Sequence, residues 1–261
     1  MAKESFFKPF YTVLVLAFVC SFLVSLASVG LRPRQEANRA LERKKNILLA
    51  ADLYQQNVDI DTLFARVEPR IIELSSGRFV PETEIPVDSF DQLASVNDQR
   101  LSRPLAKDQD IAGLRRLEKY SLVYLVRDDK GRISKVVLPV RGKGLWSTMY
   151  GYVALNGDLQ TICGLSFYEH GETPGLGGEI ENPAWLAGWK GKKLFDDQGK
   201  VALKVVKGTS KARGQAAQYE VDGLSGATLT GDGVERMFHF WFDKQGFKPF
   251  LDRLKKEVTN G

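Results

Sequence analysis

Cysteine and histidine are scarce in this sequence of 261 residues, which contains two of each. Cys20 lies within an apolar segment, so a disulfide between Cys20 and Cys163 is not expected. The chain also lacks a paired-cysteine motif, and two histidines are too few to suggest a metal centre. These shortages exclude a disulfide-stapled fold and argue against a metalloprotein.

Long runs of one charge are missing as well. The densest basic cluster is the stretch Arg43-Lys44-Lys45, and the net charge of +5 is mild. Nucleic acid is therefore not an expected partner, since its recognition needs basic side chains gathered on one face or in one run. No Rossmann glycine fingerprint or Walker loop follows a predicted strand, which argues against nucleotide-binding folds of those two kinds.

One long apolar segment is present near the N-terminus. Residues Pro9 to Leu31 contain no charge, and Lys8 and Arg32 bracket them. As a helix the segment would be roughly 35 Å long, which exceeds the bilayer core of about 30 Å. A cleaved signal peptide is the alternative, but the apolar run is longer than the usual core of about 7–15 residues. We therefore predict a retained anchor that crosses the membrane once and contacts lipid.

The charges around this segment bear on its orientation. Two lysines precede it, and six basic residues follow: Arg32, Arg34, Arg39, Arg43, Lys44 and Lys45. Counted directly, the positive-inside rule places the large C-terminal region in the cytoplasm. Because the rule weakens for long translocated regions, the charge count alone leaves the orientation open.

Helical patterns continue beyond the anchor. Apolar residues at near-helical spacing predict a stalk helix over 35–54. Asp61 is the predicted N-cap of a second helix, which would end at Ser75-Ser76-Gly77. Its predicted apolar face contains Leu63, Phe64, Val67, Ile71 and Leu74. Residues 81–107 have no clear period and are predicted to form an ordered loop or insertion.

From Lys119 the pattern changes to strands joined by hairpins. A turn at Asp128–Gly131 separates two predicted strands, and Asn156-Gly157 is the predicted turn of another hairpin. The predicted strands are 122–126, 133–140, 151–155, 159–168 and 201–206, and the predicted helices are 182–190, 233–243 and 247–258. The helix over 233–243 is expected to bury Val234, Met237, Phe238 and Trp241.

These patterns together predict an α+β chain. One N-terminal transmembrane helix is followed by a soluble domain with a largely antiparallel sheet and flanking helices. The predicted divisions are a short tail (1–8), the transmembrane helix (9–31), a helical stalk and connecting region (32–118) and the folded domain (119–261).

The stretch Asp222-Gly223-Leu224-Ser225-Gly226-Ala227-Thr228-Leu229-Thr230 combines glycines and hydroxyls before a predicted helix. Such a loop suits a phosphate, because flexible glycines and free N–H groups can approach it closely. The alternative is a loop that only caps a helix. Asp232 and Glu235 would then form a capping box for the helix over 233–243.

A second glycine-rich stretch is His170-Gly171-Glu172-Thr173-Pro174-Gly175-Leu176-Gly177-Gly178-Glu179. Its proline and glycines predict a rigid turn whose backbone amides can reach a ligand, while Leu176 covers a planar ring. A plain strand-to-helix connection is the alternative, in which His170 and Glu172 close the loop by hydrogen bonds. Leu145 and Trp146 are a candidate second wall, although a tryptophan at this position is also typical of a core.

The two stretches resemble the two signatures of the FMN-binding domain family. In that family the Asp-Gly-Leu-Ser-Gly-Ala-Thr motif carries FMN as a phosphoester on its last threonine, which here is Thr228. The resemblance implies further flavin contacts from Asp222, Ser225, Gly226, Ala227, Leu145, Trp146, His170, Glu172, Thr173, Gly175, Leu176 and Gly177. No catalytic residue and no metal ligand is expected.

The attachment chemistry predicts a second protein. A threonine hydroxyl is a weak nucleophile without an activating base, and no histidine or lysine adjoins Thr228 in sequence. The resemblance likewise implies a separate flavin transferase. Asp222 is a candidate recognition or metal-supporting position for that enzyme, and a simple turn aspartate is the alternative.

Within this family the anchor and both motifs are most similar to the C subunits of the sodium-translocating NADH:quinone reductases. That resemblance implies an electron carrier between NADH and ubiquinone in a sodium-pumping complex of the bacterial inner membrane, with the large domain in the periplasm and the other subunits as partners. One alternative is the G subunit of an Rnf electron-transport complex with the same covalent FMN. Another is a membrane-anchored binding or assembly protein without flavin.

Overall fold

The computed structural model describes residues 7–260, which fall into two compact units on either side of the Arg43–Lys44 bond. The helices are α1 Phe7–Ala50, α2 Ile60–Phe64, α3 Gln92–Asn97, α4 Pro183–Ala187, α5 Thr228–Trp241 and α6 Lys248–Asn260. The strands are β1 Val67–Glu73, β2 Arg78–Phe79, β3 Ser102–Pro104, β4 Arg116–Glu118, β5 Tyr120–Arg127, β6 Ile133–Lys143, β7 Thr148–Asn156, β8 Ile162–Glu169, β9 Lys204–Val205 and β10 Glu220–Val221.

The predicted anchor and stalk are one continuous helix, α1, which runs through Pro33 and ends at Ala50. Part of α1 is long and apolar enough to cross a membrane, and the side chains of this part are exposed. The first six residues of the predicted tail, Lys3 among them, lie outside the described residues.

The sheet of the second unit has six strands in the order β2-β1-β5-β6-β7-β8, and every neighbouring pair is antiparallel. Strand residues point alternately to its two faces. On β6, Val136, Leu138 and Val140 join one apolar cluster while Val137 joins the other. The predicted α+β fold with an antiparallel sheet is confirmed.

The last turns of α1 belong to the core of this second unit. Ile47, Leu48 and Ala50 are almost fully buried in the same cluster as Val137. The hydroxyl of Ser166 on β8 donates to the Oδ1 atom of Asn46 at 2.5 Å. The helix end therefore packs on one face of the sheet by both apolar and polar contacts.

Helices α5 and α6 contribute to the other apolar cluster. Trp189 stacks on Phe238 with ring centroids 4.7 Å apart, and Trp241 stacks on Phe247 at 5.1 Å. Val234, Met237, Phe238 and Trp241 are all fully buried, as the helical spacing predicted. This packing fixes the position of α5, whose first residue is Thr228.

The prediction of a helix from Asp61 to Leu74 is wrong over most of its length. Helix α2 ends at Phe64 and its N-cap is Asp59, which accepts the Thr62 N–H. Val67 to Glu73 form strand β1, paired with β5 at every position. The apolar residues at 67, 71 and 74 fit a helical period, but pairing with a distant strand decides the conformation.

This pairing also moves the domain boundary. Because β1 lies inside the main sheet, the second compact unit begins at Lys44 rather than at the predicted position 119. Ser75-Ser76-Gly77 forms the turn to β2 instead of ending a helix. Residues 81–107, predicted as a loop or insertion, contain α3 and β3.

Several predicted bounds differ from the observed ones. The strand predicted over 201–206 is reduced to β9, a parallel pair with β10. The hairpin after β7 has a longer turn than predicted, since β8 starts at Ile162. Helix α4 is shorter than its prediction, and the helix predicted from Gly233 begins at Thr228.

The predicted capping box is wrong because its glutamate has another partner. Helix α5 starts after Ala227, and Glu235 lies well inside it. The Glu235 carboxylate accepts the backbone N–H of Val205 at 2.7 Å. It therefore joins α5 to strand β9.

Candidate functional site

Thr228 is the first residue of the 14-residue helix α5, and its side chain is exposed. No side chain within residues 7–260 caps the amides at this end of the helix. The first N–H groups of a helix have no partner inside the helix, and they carry the positive end of its dipole. An exposed hydroxyl at this point is therefore placed where a phosphate is stabilised.

Buried residues on both sides hold the motif loop in place. Leu224 and Ala227 are 7% exposed, whereas Ser225 and Gly226 face solvent. Gly226 has a φ of +69°, a conformation that favours glycine. Ser225, Gly226 and Thr228 therefore face solvent, while the buried side chains of Leu224 and Ala227 hold the loop on the core.

Asp222, at the start of the motif, has structural contacts. Its carboxylate accepts the Ser210 N–H at 2.8 Å, and its carbonyl accepts the indole N–H of Trp185, also at 2.8 Å. These bonds fix the entry to the loop. They agree with the turn-aspartate alternative, while the role of Asp222 in recognition by a transferase stays a prediction.

The second loop turns tightly beside the first. The carbonyl of Thr173 accepts N–H groups from Leu176 at 3.1 Å and Gly178 at 2.9 Å. Gly175 has a φ of +74°, and Leu176 remains 45% exposed. A methyl group built on Gly226 would lie 3.0 Å from Cδ2 of Leu176, so the two motifs meet at these residues.

Glu172 lies beneath this junction and is only 4% exposed. Its Oε2 atom accepts the Thr230 hydroxyl at 2.6 Å and the Leu145 N–H at 3.1 Å, and its Oε1 atom accepts the N–H groups of Trp146 at 2.9 Å and Ser147 at 3.2 Å. Burial by itself would raise the pKa of Glu172. The hydroxyl and the three amides outweigh burial and lower that pKa below its ordinary value.

Two glycines allow the approach to this carboxylate. A methyl group on Gly144 would lie 2.6 Å from Oε1 of Glu172, and one on Gly177 would lie 2.6 Å from the hydroxyl oxygen of Thr230. Glu172 therefore joins three segments: the loop with Leu145 and Trp146, the loop with Leu176, and the start of α5. Glu172 was predicted as a flavin contact or as a loop-closing residue. Its observed hydrogen bonds are those of a loop-closing residue.

His170 lies behind Glu172. Its Nδ1 atom accepts the Glu172 N–H at 3.1 Å, and its Nε2 atom is 3.1 Å from a carboxylate oxygen of Glu181. The side chain is 11% exposed. These contacts favour the structural alternative for His170, and a contact with flavin stays a prediction.

Four large apolar side chains around the site remain exposed. The exposed fractions are 43% for Leu145, 66% for Trp146, 45% for Leu176 and 58% for Leu229. The alternative that Trp146 belongs to the core is wrong. Clusters of exposed apolar side chains in soluble domains mark binding sites. A planar apolar ring could cover the four side chains at this site.

The structure adds residues that sequence reasoning missed. Leu229 follows Thr228 directly, but its position on the exposed side of α5 is known only once the helix start is known. Lys207 lines a small cleft together with Thr228 and Asp232. Its sequence position carries no signal, because the chain between β9 and β10 brings it there.

These features fit an FMN group on the observations of the site alone. The phosphate would meet an uncapped helix start, and the ring would meet exposed apolar side chains. Most predicted site residues are gathered there: Leu145, Trp146, Glu172, Thr173, Gly175, Leu176, Gly177, Ser225, Gly226, Ala227 and Thr228.

Comparison with protein families gives an independent finding. The FMN-binding domain model matches residues 144–243. The matched region begins at Gly144, just before Leu145 and Trp146, and contains both glycine-rich stretches and all of α5. It therefore covers every residue of the candidate site.

Similar proteins extend the match to nearly the whole chain. The C subunit of the Na(+)-translocating NADH-quinone reductase from Yersinia pestis is 46% identical, covering 99% of this chain and 97% of its own. The corresponding protein from Pseudomonas aeruginosa is 43% identical, with coverages of 97% and 98%.

Solved structures agree with the sequence comparison. The crystal structure of NqrC from Shewanella oneidensis has a TM-score of 0.77 at 42% identity and covers 84% of this chain and 99% of its own. The crystal structure of the C subunit from Parabacteroides distasonis has a TM-score of 0.62 at 27% identity, with coverages of 85% and 96%.

Proposed function

This chain belongs to the family of C subunits of the Na+-translocating NADH-quinone reductases, and on that basis we propose that it carries FMN covalently on Thr228 and relays electrons within the complex. The family membership makes it a subunit of an oxidoreductase with an FMN-binding domain. It also favours the sodium pump over the Rnf alternative. The observation that carries the proposal is the exposed Thr228 hydroxyl at an uncapped helix start, beside exposed apolar side chains.

The start of α5 would hold the phosphate. A phosphodiester on the Thr228 hydroxyl keeps one negative charge, which the free amides and the helix dipole stabilise by about 0.3–1 kcal/mol at an exposed site. Lys207 lines the same cleft and supplies a positive charge, while Asp232 supplies a negative one. A covalent bond makes this modest stabilisation sufficient, since the cofactor cannot dissociate.

Leu145, Trp146, Leu176 and Leu229 would contact the ring and exclude water from it. The buried carboxylate of Glu172 holds the backbone of Leu145 and Trp146 by accepting their N–H groups. Bound FMN supplies one- and two-electron exchange, which none of the protein side chains at this site can provide. The chain's own part is to hold the ring, fix its orientation and set its surroundings.

The proposed relay needs no bond-breaking residue. Electrons would enter from NADH and leave towards ubiquinone through other subunits, which are the expected partners. Sodium movement is assigned to the complex, because the apolar stretch Pro9–Leu31 has no carboxylate that could form an ion path.

Attachment is proposed to require a flavin transferase. Lys207 and Asp232 are the ionisable residues in the cleft with Thr228. An ammonium group donates hydrogen bonds and accepts none, and a carboxylate is a weak base towards a hydroxyl. Among the described residues that line this cleft, none therefore activates the Thr228 hydroxyl for phosphoester formation.

We place α1 in the bacterial inner membrane as a single crossing, with the second unit in the periplasm. The basic residues after the apolar stretch argue for the opposite orientation, so a direct test is needed. Lys130, in the exposed turn between β5 and β6, can be replaced by cysteine. Labelling of Lys130→Cys in intact spheroplasts by an impermeant maleimide would support the periplasmic orientation, and labelling only after lysis would contradict it.

Intact mass tests the covalent flavin. The wild-type chain coexpressed with a flavin transferase should gain the mass of one FMN group and fluoresce on a denaturing gel. Thr228→Val should lose both signals, whereas the matched control Thr83→Val should keep them, because it makes the same exchange at an exposed threonine outside the site. An unmodified wild-type chain would leave the anchored binding protein without flavin as the remaining alternative.

A further inference from the structure

A cavity of about 460 Å³ lies among residues that have no part in the flavin site. It is formed by the chain after β1, the segment from Arg100 to β3, strand β4 and the connection between α5 and α6. Pockets of about 300–1,000 Å³ are the usual size for small-molecule sites. The nature of a ligand must be argued from the groups that line this one.

The floor of the cavity is apolar apart from one carboxylate, whose oxygens already accept several hydrogen bonds. Leu74 and Leu117 are each 2% exposed. The buried carboxylate of Glu118 accepts bonds from both terminal nitrogens of Arg141, at 2.5 and 2.7 Å, and from the amide of Gln92 at 2.9 Å. Glu118 therefore has little capacity left to receive a donor from a ligand.

The rim is rich in cations. Arg100 is engaged by Asp98 at 2.8 Å, and Lys119 lies 3.6 Å from a carboxylate oxygen of Glu73. Arg103 and Lys244 differ from these two. Across residues 7–260, no carboxylate is paired with either of them.

The orientation of Arg103 is set by a neutral partner. One of its terminal nitrogens donates to the amide oxygen of Gln245 at 3.0 Å. Its other N–H groups and the ammonium of Lys244 remain as donors at the mouth of the cavity. The cavity thus offers N–H donors at its mouth above an apolar floor, and the one carboxylate among its lining residues is already engaged.

We propose that this cavity binds an organic anion, in which a phosphate or carboxylate group meets Arg103 and Lys244 and an apolar body lies on Leu74 and Leu117. Arg103 can donate two parallel bonds to such a group, and Lys244 adds a point charge. The anionic group belongs either to a free small molecule or to a lipid headgroup, which share this chemistry. The site is independent of the proposed flavin on Thr228.

The experiment is a calorimetric titration of 1-naphthyl phosphate into the full chain in phosphatidylcholine nanodiscs. Saturable binding is expected, and it should be at least tenfold weaker in the double variant Arg103→Gln/Lys244→Gln. The control Lys130→Gln/Lys211→Gln removes the same charge from two exposed sites elsewhere and should leave the affinity unchanged. The exchanged side chains are all exposed, and equal thermal midpoints will verify that the variants fold alike.

Further arms separate the sources of the anion. If phosphatidylglycerol in the nanodisc competes with 1-naphthyl phosphate, the natural ligand is a lipid headgroup, and absence of competition identifies a free small molecule. The proposal is overturned by no saturable binding, by equal weakening in both double variants, or by inorganic phosphate binding as tightly as 1-naphthyl phosphate. Loss of binding in the assembled complex would also overturn it, because a neighbouring subunit would then cover the cavity.

Discussion

The hydroxyl of Thr230 donates to the carboxylate of Glu172 across 2.6 Å, although the two residues are 58 positions apart in the chain. Both side chains are buried. Thr230 lies in the first turn of α5, two residues after Thr228, whereas Glu172 precedes the loop that carries Leu176. This bond therefore ties the proposed attachment site to one of its proposed apolar walls.

Replacing Glu172 by glutamine should destabilise the chain and disturb the site together. An amide places an NH₂ group against backbone N–H donors, so at least one bond is lost and a buried donor is left unpaired. We expect a loss of about 1.5–3 kcal/mol in the free energy of unfolding, the range for hydrogen bonds to a charged group. Urea unfolding measures this loss.

Measurements on the bound flavin distinguish a role of Glu172 in positioning the site from a role in overall stability alone. If Glu172 holds Leu145 and Leu176 in place, a Glu172→Gln chain that carries FMN should show a shifted redox potential and greater access of a quencher to the ring. The exposed Glu84→Gln serves as the charge-matched control and should change neither quantity. An unaltered potential and quencher access in Glu172→Gln would contradict the role of Glu172 in positioning the site.

Glu172 should also contribute to the dependence of stability on pH. Its pKa is lowered in the folded chain, so the unfolded chain binds this proton more readily. The stabilisation is therefore fully present above the unfolded pKa of about 4.3 and is lost as the pH falls through the lower folded value. The stability difference between wild type and Glu172→Gln should be constant above about pH 5 and shrink below it. A difference that grows in acid would show that the sign is wrong.

Two glycines of α5 provide a matched pair for packing. A methyl group on Gly233 would lie 2.6 Å from the carbonyl oxygen of Lys143, whereas one on Gly231 would meet only a methyl of Val205 at 3.4 Å. Gly233→Ala should cost about 1–3 kcal/mol by overpacking. Gly231→Ala should be neutral or stabilise by up to about 1 kcal/mol through helix propensity. Thermal unfolding of the two variants checks the contrast, and equal effects would refute the close approach of α5 to β6.

The buried pair of Glu118 and Arg141 predicts strong non-additivity. Arg141→Met leaves the Glu118 carboxylate buried without its cation and should cost about 3–5 kcal/mol. The double variant Arg141→Met/Glu118→Leu should recover much of this loss, since no charge is then stranded. Arg127→Met, which breaks a partly exposed pair with Glu68, should cost at most about 1 kcal/mol. Additive losses in the double variant would mean that the two side chains do not interact.

Local patterns in the sequence predicted the parts of the fold in which the spacing of apolar residues matches the residues that are buried. The inward residues of α5 repeat with a helical period, and the strands from β5 to β8 are joined by short connections. The same reasoning failed for Val67 to Glu73. Val67 and Ile71 are four residues apart, and this spacing fits one face of a helix as well as one face of a strand. Only the pairing with β5 distinguishes the two, and that partner lies far along the chain.

The sequence predicted which residues form the candidate site better than it predicted what each of them does. The motif and the glycine loop were found by resemblance, and the structure brings them into contact through Leu176 and Gly226. The four bonds of Glu172 could not be predicted, because they depend on amides that follow β6 and on a hydroxyl in α5. The capping pattern at Asp232 and Glu235 misplaced the helix start, since a side chain that fits a local motif can instead serve a tertiary contact.

The packing of α6 over the turn after β1 has a consequence for synthesis. Gly77 lies so close to α6 that a methyl group there would be 2.5 Å from the backbone nitrogen of Phe250, and Phe79 meets the ring of Phe250 edge-on at 5.5 Å. The hairpin of β1 and β2 is translated well before its cover, because α6 lies far along the chain. The second unit can complete this part of its core only once α6 has been synthesised, and Trp241, at the end of the helix that begins with Thr228, receives its partner Phe247 at the same stage. Under the proposed function, a flavin transferase that recognises only the folded loop would find its substrate once α6 is in place.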